Sequence, residues 1–437
     1  MRYLMVVPVT ARTLGPDDFA TEGPFADHLR VVRELLHDEI DELVVAGVEM
    51  RDEDYARNAE HLGVLHAPRD HVRFVPLFPD GLGRRAFWTK WWPRVVRRLI
   101  EEVARAKVVH AGPSHDLWRP FEVTALGLGA AFGRTTLSVT DIDERESARM
   151  MYETGRWSRR VYSTTRYLHD PLRDLQHRAI VRACDLVLFK GDRLVADYGG
   201  GRPHVHGIFD PGFEAEQVVG DDLVREKLAR LREPGPTLQL LYFGRFAYYK
   251  GVHHMVEALA QATDAPAHLH LMGYGAEEPA LRRLVDDRRL GARVTFHEPV
   301  RYGPAFFDKL RGFDLMLAAP LGVDTPRSAW DAFASGLPIL AYDTEFYAGL
   351  AHRTGAVEVV PWNDVGRYAE RLRAFALEPA SLAPLVERAV AAARDNTQRA
   401  WLERRAAWTR EALEAKRGAR PPIRPAPPPR DEHVEGA

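Results

Sequence analysis

The chain has 437 residues, of which 46% are hydrophobic, and its 60 basic and 62 acidic residues leave a net charge of −2 at pH 7. This length predicts roughly two or three domains, each with its own core. The balanced charge excludes an overall electrostatic footprint for nucleic acid, and a single cysteine, Cys184, excludes an intrachain disulfide. The apolar start MRYLMVVPVT is too short for a membrane span and has no cleavage pattern. We therefore expect a cytoplasmic, soluble protein that begins with a buried strand.

In the first half, short apolar runs alternate with longer amphipathic stretches. The predicted strands are Tyr3–Val9, Glu42–Val48, Val72–Phe78, Lys107–Ala111, Thr135–Thr140 and Leu186–Phe189. The predicted helices include Phe25–Leu36, Arg94–Ala106 and Asp170–Ala183. Such alternation is typical of parallel α/β units. It predicts an α/β domain over residues 1–213.

The stretch Arg84–Arg98 combines tryptophans with basic residues. It contains Arg84, Arg85, Trp88, Lys90, Trp91, Trp92, Arg94, Arg97 and Arg98. One interpretation buries the tryptophans in the core and leaves the arginines solvated. The other is peripheral contact with an anionic bilayer surface, which suits tryptophan and basic residues together.

Polar residues follow two of the predicted strands. His110 and His115 flank one strand end, while Asp141 and Asp143 follow the strand Thr135–Thr140. Ligands of open α/β sheets bind at the carboxyl ends of strands, so these residues are candidate ligand contacts. Structural histidines and solvated aspartates are the alternative interpretations. The sequence has no cysteine cluster and no His-Glu-x-x-His pattern to indicate a metal site.

The second half repeats the alternation. Its predicted strands are Leu238–Phe243, His268–Met272, Arg293–Phe296, Leu315–Ala318 and Pro338–Ala341. Its predicted helices are Val252–Gln261, Glu278–Asp287, Tyr302–Leu310 and Ser328–Ala334. A second α/β domain is therefore expected over residues 237–397.

Three segments lie outside the two predicted domains. The charged stretch 214–236 ends in Glu-Pro-Gly-Pro and contains no strong strand, which favours a linker. Residues 398–417 predict a charged helix that bears Trp401 and Trp408 and crosses back onto the first domain. The proline-rich residues 418–437 predict a disordered or polyproline-like tail.

Two motifs of the second half end strands at glycine. In LLYFGRFAYYKG, Arg245 and Lys250 bracket a loop before a helix, and two such cations suit a diphosphate. In LHLMGYG, Gly273 lets the backbone approach a ligand closely. Solvated loop charges and an ordinary tight turn are the alternatives.

The motif DTPRSAWDAFASG, residues 324–336, predicts a helix start. Thr325 or Ser328 can cap the helix, and the free N–H groups of the first turn form an anion site. Arg327 adds positive charge there. Asp331 follows it at helical spacing, so a simple surface Arg–Asp pair is the alternative.

In chain order, GRFAYYKG, LHLMGYG, VTFHEPV, FDLMLAAP and DTPRSAWDAFASGLPILAYDT resemble the donor domain of the GT-B glycosyltransferases. The resemblance is closest to family four, the retaining enzymes that use nucleotide sugars, and it covers residues 238–375 well. The segments HRAIVRACDLVLFKGDRL and HGIFDPGF would hold the crossover between domains. The resemblance implies two Rossmann-like domains that face each other across a cleft, with the donor on the C-terminal domain.

The resemblance also implies roles for the donor-side residues. Arg245 and Lys250 would bind the donor diphosphate, with Gly273 beside it. The helix start at Pro326–Ser328, which includes Arg327, would bind phosphate through its backbone. Asp331 takes the position of the family's second glutamate, which holds the ribose hydroxyls.

The sequence departs from the family at three places. The first glutamate of the family's E-x7-E pattern falls on Val323, so either the neighbouring Asp324 contacts the donor sugar or that role is lost. Asp141 stands where the family often has a histidine facing the reacting centre. Glu22 and Gly23 replace the family's Gly-Gly loop and are expected to touch the acceptor, with His110, His115 and Asp143. A D-x-D metal motif is discounted because GT-B enzymes do not use one.

The expected reaction is transfer of a sugar from a nucleotide diphosphate to a hydroxyl acceptor, with retention and without metal or cofactor. The implied partners are a nucleotide sugar and a hydroxyl acceptor, and no nucleic acid. Two alternatives stay open. One is a catalytically inactive GT-B module that binds sugar nucleotides, and the other is a GT-B sugar-nucleotide epimerase.

Overall fold

The computed structural model describes residues 1–114, 116–233 and 237–418. Their strands form two sheets, one in each half of the chain, and each sheet has helices on both faces. The predicted contact residue His115 and the predicted tail from residue 419 onwards lie outside the described residues. The α/β class that the alternating pattern predicted is confirmed.

The first sheet has nine strands among the described residues. They are β1 (Arg2–Thr13), β2 (Asp18–Glu22), β3 (Glu42–Glu49), β4 (Leu62–His66), β5 (Val72–Pro79), β6 (Ala106–Ala111), β7 (Thr135–Thr140), β8 (Leu186–Phe189) and β9 (Val205–Gly207). The parallel strands lie in the order β5-β3-β1-β6-β7-β8-β9. Their carboxyl ends therefore share one edge, which is where open α/β sheets bind ligands.

Strand β1 shows how this sheet is held between two helical layers. Leu4 and Val6 belong to a core on one face, while Tyr3 and Met5 belong to the core on the other. Successive side chains of a strand point to opposite faces, so an uninterrupted apolar run is buried on both sides. The N-terminal run MRYLMVVPVT is accordingly a central strand.

The helices of the first half are α1 (Gly23–Leu35), α2 (Asp52–Asn58), α3 (Ala67–Asp70), α4 (Arg84–Ala86), α5 (Trp92–Arg105), α6 (Phe121–Ala131), α7 (Glu144–Glu153), α8 (Arg159–Thr164), α9 (Asp170–Ala183) and α10 (Asp192–Leu194). Short 3₁₀ or π turns occupy Ala59–His61, Phe87–Trp91, Thr165–His169 and Val195–Gly199. Helices α5, α6 and α9 cover one face of the sheet, because their buried residues share one core. Helix α1 covers the other face.

Three short strands of this sheet, β2, β4 and β9, were not expected from the sequence, and the first two form an added antiparallel pair. Strand β2 pairs antiparallel with the end of β1, where Arg12 faces Ala20, and β4 pairs antiparallel with β2. The register of β1 against β3 shifts between Val6 and Thr10, an irregularity of the kind that bends a strand. Both strands are short and lack a continuous apolar run, so their periodicity is weak.

The second sheet consists, among the described residues, of six parallel strands. They are β10 (Leu238–Phe243), β11 (Ala267–Met272), β12 (Val294–His297), β13 (Leu315–Ala318), β14 (Ile339–Tyr342) and β15 (Val357–Val360). Their order is β12-β11-β10-β13-β14-β15. The strand order therefore reverses between β10 and β13, and such a switch point opens a crevice at the carboxyl ends.

The helices after residue 214 are α11 (Asp221–Arg232), α12 (Val252–Gln261), α13 (Glu278–Asp287), α14 (Pro304–Arg311), α15 (Ser328–Ala334), α16 (Glu345–Thr354), α17 (Val365–Leu377), α18 (Ala383–Asp395) and α19 (Gln398–Gly418). Further 3₁₀ turns occupy Ala215–Gln217, Tyr248–Lys250 and Pro379–Leu382. Helix α11 falls in the stretch expected to be a linker. Its Leu228 and Leu231 pack into the core of the second sheet, so a sequence that is charged overall still forms part of that domain.

Helix α19 crosses back from the second domain to the first. Its Leu402, Ala406 and Leu413 join the core that α1 forms on the first sheet. Trp408 stacks on His206 with ring centroids 4.1 Å apart. The predicted crossing of this helix is confirmed, and Gly418, expected to begin the tail, is its last residue.

Within residues 1–114, 116–233 and 237–418, none of the helices has the length and apolar character needed to span a bilayer.

Candidate functional site

A cleft of about 380 Å³ lies between the two domains and helix α19. Glu22, His110 and Asp141 line it from the first domain, and Arg327 lines it from the second. The first three follow or end strands of the first sheet, whereas Arg327 precedes α15. The structure thus brings together four residues that the sequence placed at a ligand site.

Two further predicted residues meet elsewhere. Asp143 and Asp324 line a smaller cavity of about 30 Å³, together with Lys190 and Glu345. Asp324 therefore shares a cavity with Asp143 rather than with Asp141. The two aspartates of the Asp141-Ile142-Asp143 motif consequently face different surroundings.

The loop after β10 carries the predicted cations. Arg245 is exposed, and its Nη2 donates to the Tyr249 hydroxyl at 3.1 Å. Gly251 has φ 64°, and a Cβ there would lie 1.8 Å from the carbonyl oxygen of Ala319. Only glycine fits so close an approach at positive φ. This contact fixes the loop of Lys250 against the chain that leaves β13, at the switch point of the sheet.

Lys250 is paired with Asp324. Its Nζ donates to the Asp324 carboxylate, and the two side chains are only 15% and 17% exposed. The sequence analysis assigned both residues to the donor but did not place them in contact. In the structure each side chain neutralises the charge of the other. A ligand that binds one of them in place of this ion pair therefore leaves the other without its partner.

Gly273 has a packing reason for its identity. Its φ is 151°, and a Cβ there would lie 2.0 Å from the carbonyl oxygen of Gly244. The ends of β10 and β11 therefore touch through two glycines. Its predicted role beside a ligand stays a prediction.

The start of α15 differs from the expectation in two respects. Arg327 takes the N-cap position and makes no capping bond with its side chain, so neither Thr325 nor Ser328 stands at the cap. The expected capping was wrong. Arg327 does not form the simple surface pair with Asp331 either, because its Nε and Nη2 donate to Asp210 at 2.9 and 2.6 Å.

Asp331 is buried beneath the helix start. It is 5% exposed, and the Tyr302 hydroxyl donates to its Oδ1 at 2.9 Å. Burial raises the pKa of Asp331 to about 7, although the Tyr302 hydrogen bond and the charge of Arg327 oppose the shift. Its carboxyl group therefore changes charge close to neutral pH.

Asp210 lies on the crossover between the domains and was not singled out from the sequence. It accepts from Arg327, and the Nζ of Lys190 lies 3.8 Å away. Burial opposes its ionisation, but Lys190 and Arg327 together hold the pKa of Asp210 below its usual value. The segment HGIFDPGF, read as the crossover, was the signal that could have identified it.

Asp143 caps the N-terminus of α7. Its Oδ1 accepts from the backbone N–H of Arg145 at 3.0 Å, and its Oδ2 pairs with Nη2 of Arg145 at 2.7 Å. An aspartate at an N-cap satisfies a free backbone donor of the first turn. The carboxylate is 6% exposed and committed to α7. Asp141, by contrast, is exposed in the cleft.

His110 is buried at the floor of the cleft. Its Nδ1 lies 3.1 Å from Nη2 of Arg405 on α19, and its ring meets Tyr3 edge-on at 5.9 Å. Burial, and next the charge of Arg405, hold the pKa of His110 well below its usual value. The imidazole is therefore neutral and accepts the guanidinium's hydrogen bond.

Glu22 and Gly23 form the entry to α1. Glu22 is exposed at the N-cap position, and Gly23 is the first residue of the helix. Glu22 lines the main cleft, so the loop expected to face an acceptor does reach the interdomain space.

The acidic, histidine and cysteine side chains of the described residues bear on metal binding. No group of three or more His, Cys, Asp or Glu side chains within these ranges is arranged to hold a metal ion. Whether the activity needs a metal stays a prediction.

Residues 237–376 match the model of the family "Glycosyl transferases group 1". This segment coincides with the one whose motifs resemble a GT-B donor domain, so the predicted resemblance is confirmed. The colanic acid biosynthesis glycosyltransferase WcaL of Escherichia coli K12 is 27% identical over 181 residues, which are 39% of this chain and 44% of the relative. D-inositol 3-phosphate glycosyltransferase 1 of Catenulispora acidiphila is 29% identical over 258 residues, which are 55% and 60%. The chain thus spans about half the length of these curated relatives.

Solved structures are similar over nearly the whole chain. HepE of Anabaena in complex with UDP superposes with a TM-score of 0.60 and 14% identity over 94% of this chain and all of HepE. WaaG, a glycosyltransferase of lipopolysaccharide biosynthesis, gives 0.60 and 14% over 92% and 98% of the two chains. The chain therefore has the GT-B fold, as predicted.

Proposed function

We propose that the protein is a glycosyltransferase that moves a sugar from a nucleotide diphosphate to a hydroxyl acceptor, with retention and without a metal. The proposal depends on the agreement in position between the family match and the predicted donor loop. The segment that matches the glycosyltransferase family model, 237–376, is the domain whose sheet edge presents Arg245 and Lys250 at its switch point. A bound UDP in the structure of HepE supports the nucleotide part of the proposal.

On the donor side, the proposal uses charges that the fold already positions. Arg245 and Lys250 offset the charge that develops on the departing diphosphate, and preorganised electrostatic stabilisation of this kind is a large part of catalysis. When the diphosphate takes Lys250, the Asp324 carboxylate is released from its ion pair. It can then accept hydrogen bonds from sugar hydroxyls, which are stronger to a charged acceptor than to a neutral one.

The ribose is assigned to Asp331. Its carboxyl oxygen is held by Tyr302 at 2.9 Å, so its orientation is set before a ligand arrives. On the acceptor side, the exposed Asp141 and Glu22 line the opposite wall of the cleft. Asp141 follows β7 at the carboxyl edge of its sheet and is assigned to face the reacting centre.

The first experiment is a titration of the full chain with UDP, GDP and ADP by calorimetry. The nucleotide that binds identifies the donor series, and its sugar derivatives are then incubated with a panel of hydroxyl acceptors, with and without EDTA. NMR of the product reads the anomeric configuration directly. Inversion of the configuration, or activity abolished by EDTA and restored by Mg²⁺, would contradict the corresponding part of the proposal.

The same titration separates the alternatives. Nucleotide-sugar binding without transfer to any acceptor supports an inactive module. An isomerised sugar nucleotide in the absence of acceptor supports an epimerase. Loss of nucleotide binding in Arg245→Ala, but not in Arg283→Ala, would connect the bound ligand to the proposed loop, since Arg283 is exposed on α13 of the same domain.

A peripheral membrane contact through Arg84–Arg98 is a second proposal. Trp91 and Trp92 pack partly buried against the core, as the first interpretation expected, whereas Trp88 is 42% exposed among exposed basic residues. On the same face of the sheet, the helical segment that includes α9 exposes Tyr167 by 80% and Leu175 by 62%. Exposed apolar residues beside arginines suit an anionic interface.

Flotation with vesicles tests this contact. Vesicles that contain phosphatidylglycerol should carry the protein at low salt, and Trp88→Ala together with Leu175→Ser should reduce the floated fraction several-fold. Vesicles of phosphatidylcholine alone serve as the control. A protein that stays at the bottom with both compositions would refute the membrane contact without touching the transferase proposal.

A further inference from the structure

The guanidinium of Arg405 reaches the floor of the interdomain cleft from helix α19. Its Nη2 lies 3.1 Å from Nδ1 of His110, and it also interacts with the Tyr3 hydroxyl. Within the described parts of the chain, no carboxylate forms an ion pair with it. Its named partners are therefore neutral groups.

The histidines beside Arg405 do not supply the missing negative charge or add a lasting positive one. Burial, and next the charge of Arg405, lower the pKa of His28 to about 4, and both also act on His110. Both rings are neutral at pH 7 and can accept or donate hydrogen bonds. Arg405 is thus a fixed cation with the neutral imidazole of His110 in contact and that of His28 within electrostatic range.

The carboxylates that line the cleft do not offset this charge. Asp210 is already shared between Arg327 and Lys190. Glu22 and Asp141 are exposed to solvent, and the buried Glu122 is not paired with Arg405. Arg327, the other arginine that lines the cleft, has Asp210 as its carboxylate partner, whereas Arg405 has no ion-paired carboxylate among the described residues.

A partly buried cation without a carboxylate is costly unless a ligand completes it. Arginine presents a planar fork of donors that matches carboxylate and phosphate groups. The cleft of about 380 Å³ is within the usual range for small-molecule sites, which begin at about 300 Å³. It therefore has room for a sugar or polyol that carries such a group.

We propose that Arg405, with His110 and His28 beside it, binds an anionic group of the acceptor, so that the acceptor is a phosphorylated or carboxylated sugar or polyol. This inference rests on the proposed transferase function, because it assigns the acceptor side of that cleft. The anionic group would belong either to a soluble molecule or to a lipid headgroup, and in both cases it is a phosphate or carboxylate on a sugar or polyol.

The test uses the full chain saturated with whichever nucleotide it binds, so that the donor site is filled. Calorimetry then compares glucose 6-phosphate and glucuronate with glucose, and a separate arm uses vesicles of phosphatidylinositol. We expect the charged sugars, or the vesicles, to bind and glucose to bind at least tenfold more weakly. Binding confined to the vesicles identifies the lipid source, and binding confined to the sugars the soluble one.

The variants assign the effect to the guanidinium. Arg405→Gln should weaken binding of the charged ligand roughly tenfold to a hundredfold, as expected for a lost hydrogen bond to a charged group, while Arg405→Lys retains part of it. The matched control is Arg404→Gln, because Arg404 is the exposed neighbour on the same helix. Should Arg405→Gln fail to fold, the Arg405→Lys variant serves instead. Its ratio of affinities for charged and neutral sugars, compared with that of the wild type, then tests the role of the guanidinium.

The inference is overturned if charged and neutral sugars bind equally to the wild type, or if Arg405→Gln lowers both affinities by the same factor. The latter result would mean that Arg405 only anchors α19. Nucleotide titration of the same samples keeps the two proposals apart. Nucleotide binding without any preference for the anion refutes this inference alone, whereas a chain that binds no nucleotide refutes the transferase proposal.

Discussion

Lys250 and Asp324, which are 74 residues apart in sequence, form an ion pair across the switch point of the second sheet. The lysine belongs to the loop after β10, and the aspartate precedes α15. The pair is mostly shielded from solvent, so its charges are weakly screened. In the proposed donor complex, Lys250 leaves this pair to contact the diphosphate, and Asp324 is then free to contact the sugar.

The first prediction follows from that pairing. Asp324→Asn removes the competitor for Lys250, so the affinity for the nucleoside diphosphate should be unchanged or higher. Turnover should fall strongly, because the neutral amide cannot accept hydrogen bonds from the sugar as a carboxylate does. Calorimetry and initial rates measure the two effects separately. Wild-type turnover in Asp324→Asn would remove the residue from the reaction and favour a role for Asp141.

Arg245 gives a second prediction. Arg245→Ala should weaken nucleotide binding by roughly 1.5–3 kcal/mol, as expected for one lost hydrogen bond to a charged group. Its present partner, the Tyr249 hydroxyl, is neutral, so little native stability depends on it. Calorimetry with Arg283→Ala as the control measures the change. An unchanged affinity in Arg245→Ala would place the nucleotide elsewhere.

The pKa of Asp331 gives a third prediction, on stability. Because burial raises its pKa from 3.8 to about 7 in the folded state, the folded chain binds a proton that the unfolded chain releases. The contribution of protonated Asp331 to the free energy of unfolding is therefore fully present below about pH 4 and is lost as the pH rises towards 7. Asp331→Asn keeps an acceptor for Tyr302 and has no charge to bury.

We expect Asp331→Asn to be more stable than the wild type at pH 8, by up to roughly 4 kcal/mol, and equally stable near pH 4. Urea unfolding at both pH values measures the difference. A stability gap that does not change with pH would show that Asp331 is not protonated by burial. Asp308→Asn is the control, because Asp308 is exposed on the same domain.

Three histidines on β11 and β12 give a fourth prediction. Nδ1 of His270 lies 2.9 Å from Nε2 of His297, and the ring of His268 is 4.6 Å from that of His270. Burial, and next the neighbouring imidazoles, lower the pKa of His270 to about 4. The folded state therefore excludes a proton that the unfolded state binds below its ordinary pKa of 6.5.

Stability that depends on His270 should be complete above about pH 6.5 and decrease as the pH falls towards 4. His270→Gln should reduce that decrease, since glutamine does not titrate. Urea unfolding at pH 7.5 and pH 5 tests it, with the exposed His352→Gln as the control. An identical loss of stability on acidification in both variants would refute the role of the cluster.

Much of the architecture was predictable from the sequence because it depends on local pattern. Apolar runs such as Leu186–Phe189 and Leu315–Ala318 are strands with the bounds expected of them. A strand buried on both faces of a parallel sheet is apolar at every position, so a window of a few residues is enough to recognise it. The short strands β2 and β4 lack that signal, because they form by pairing with residues distant in the chain.

The glycines of the second domain show the same limit. Gly273 stood out as a turn residue, but the reason for its identity is the carbonyl oxygen of Gly244 on another segment. Gly251 was not singled out, and it meets the carbonyl oxygen of Ala319. The sequence could locate the turns. It could not say which backbone approaches them, since that depends on the strand order.

What the sequence by itself determined is the GT-B class, the donor-side motifs and the residues at strand ends. What only the tertiary structure decided is which of those residues meet. Arg327 pairs with Asp210 rather than with Asp331, Lys250 pairs with Asp324, and Arg405 enters the cleft from the last helix. Spacing along a helix or strand fixes which neighbours share a face. Contacts between charged side chains of different segments depend instead on how the crossovers place the sheets and the final helix.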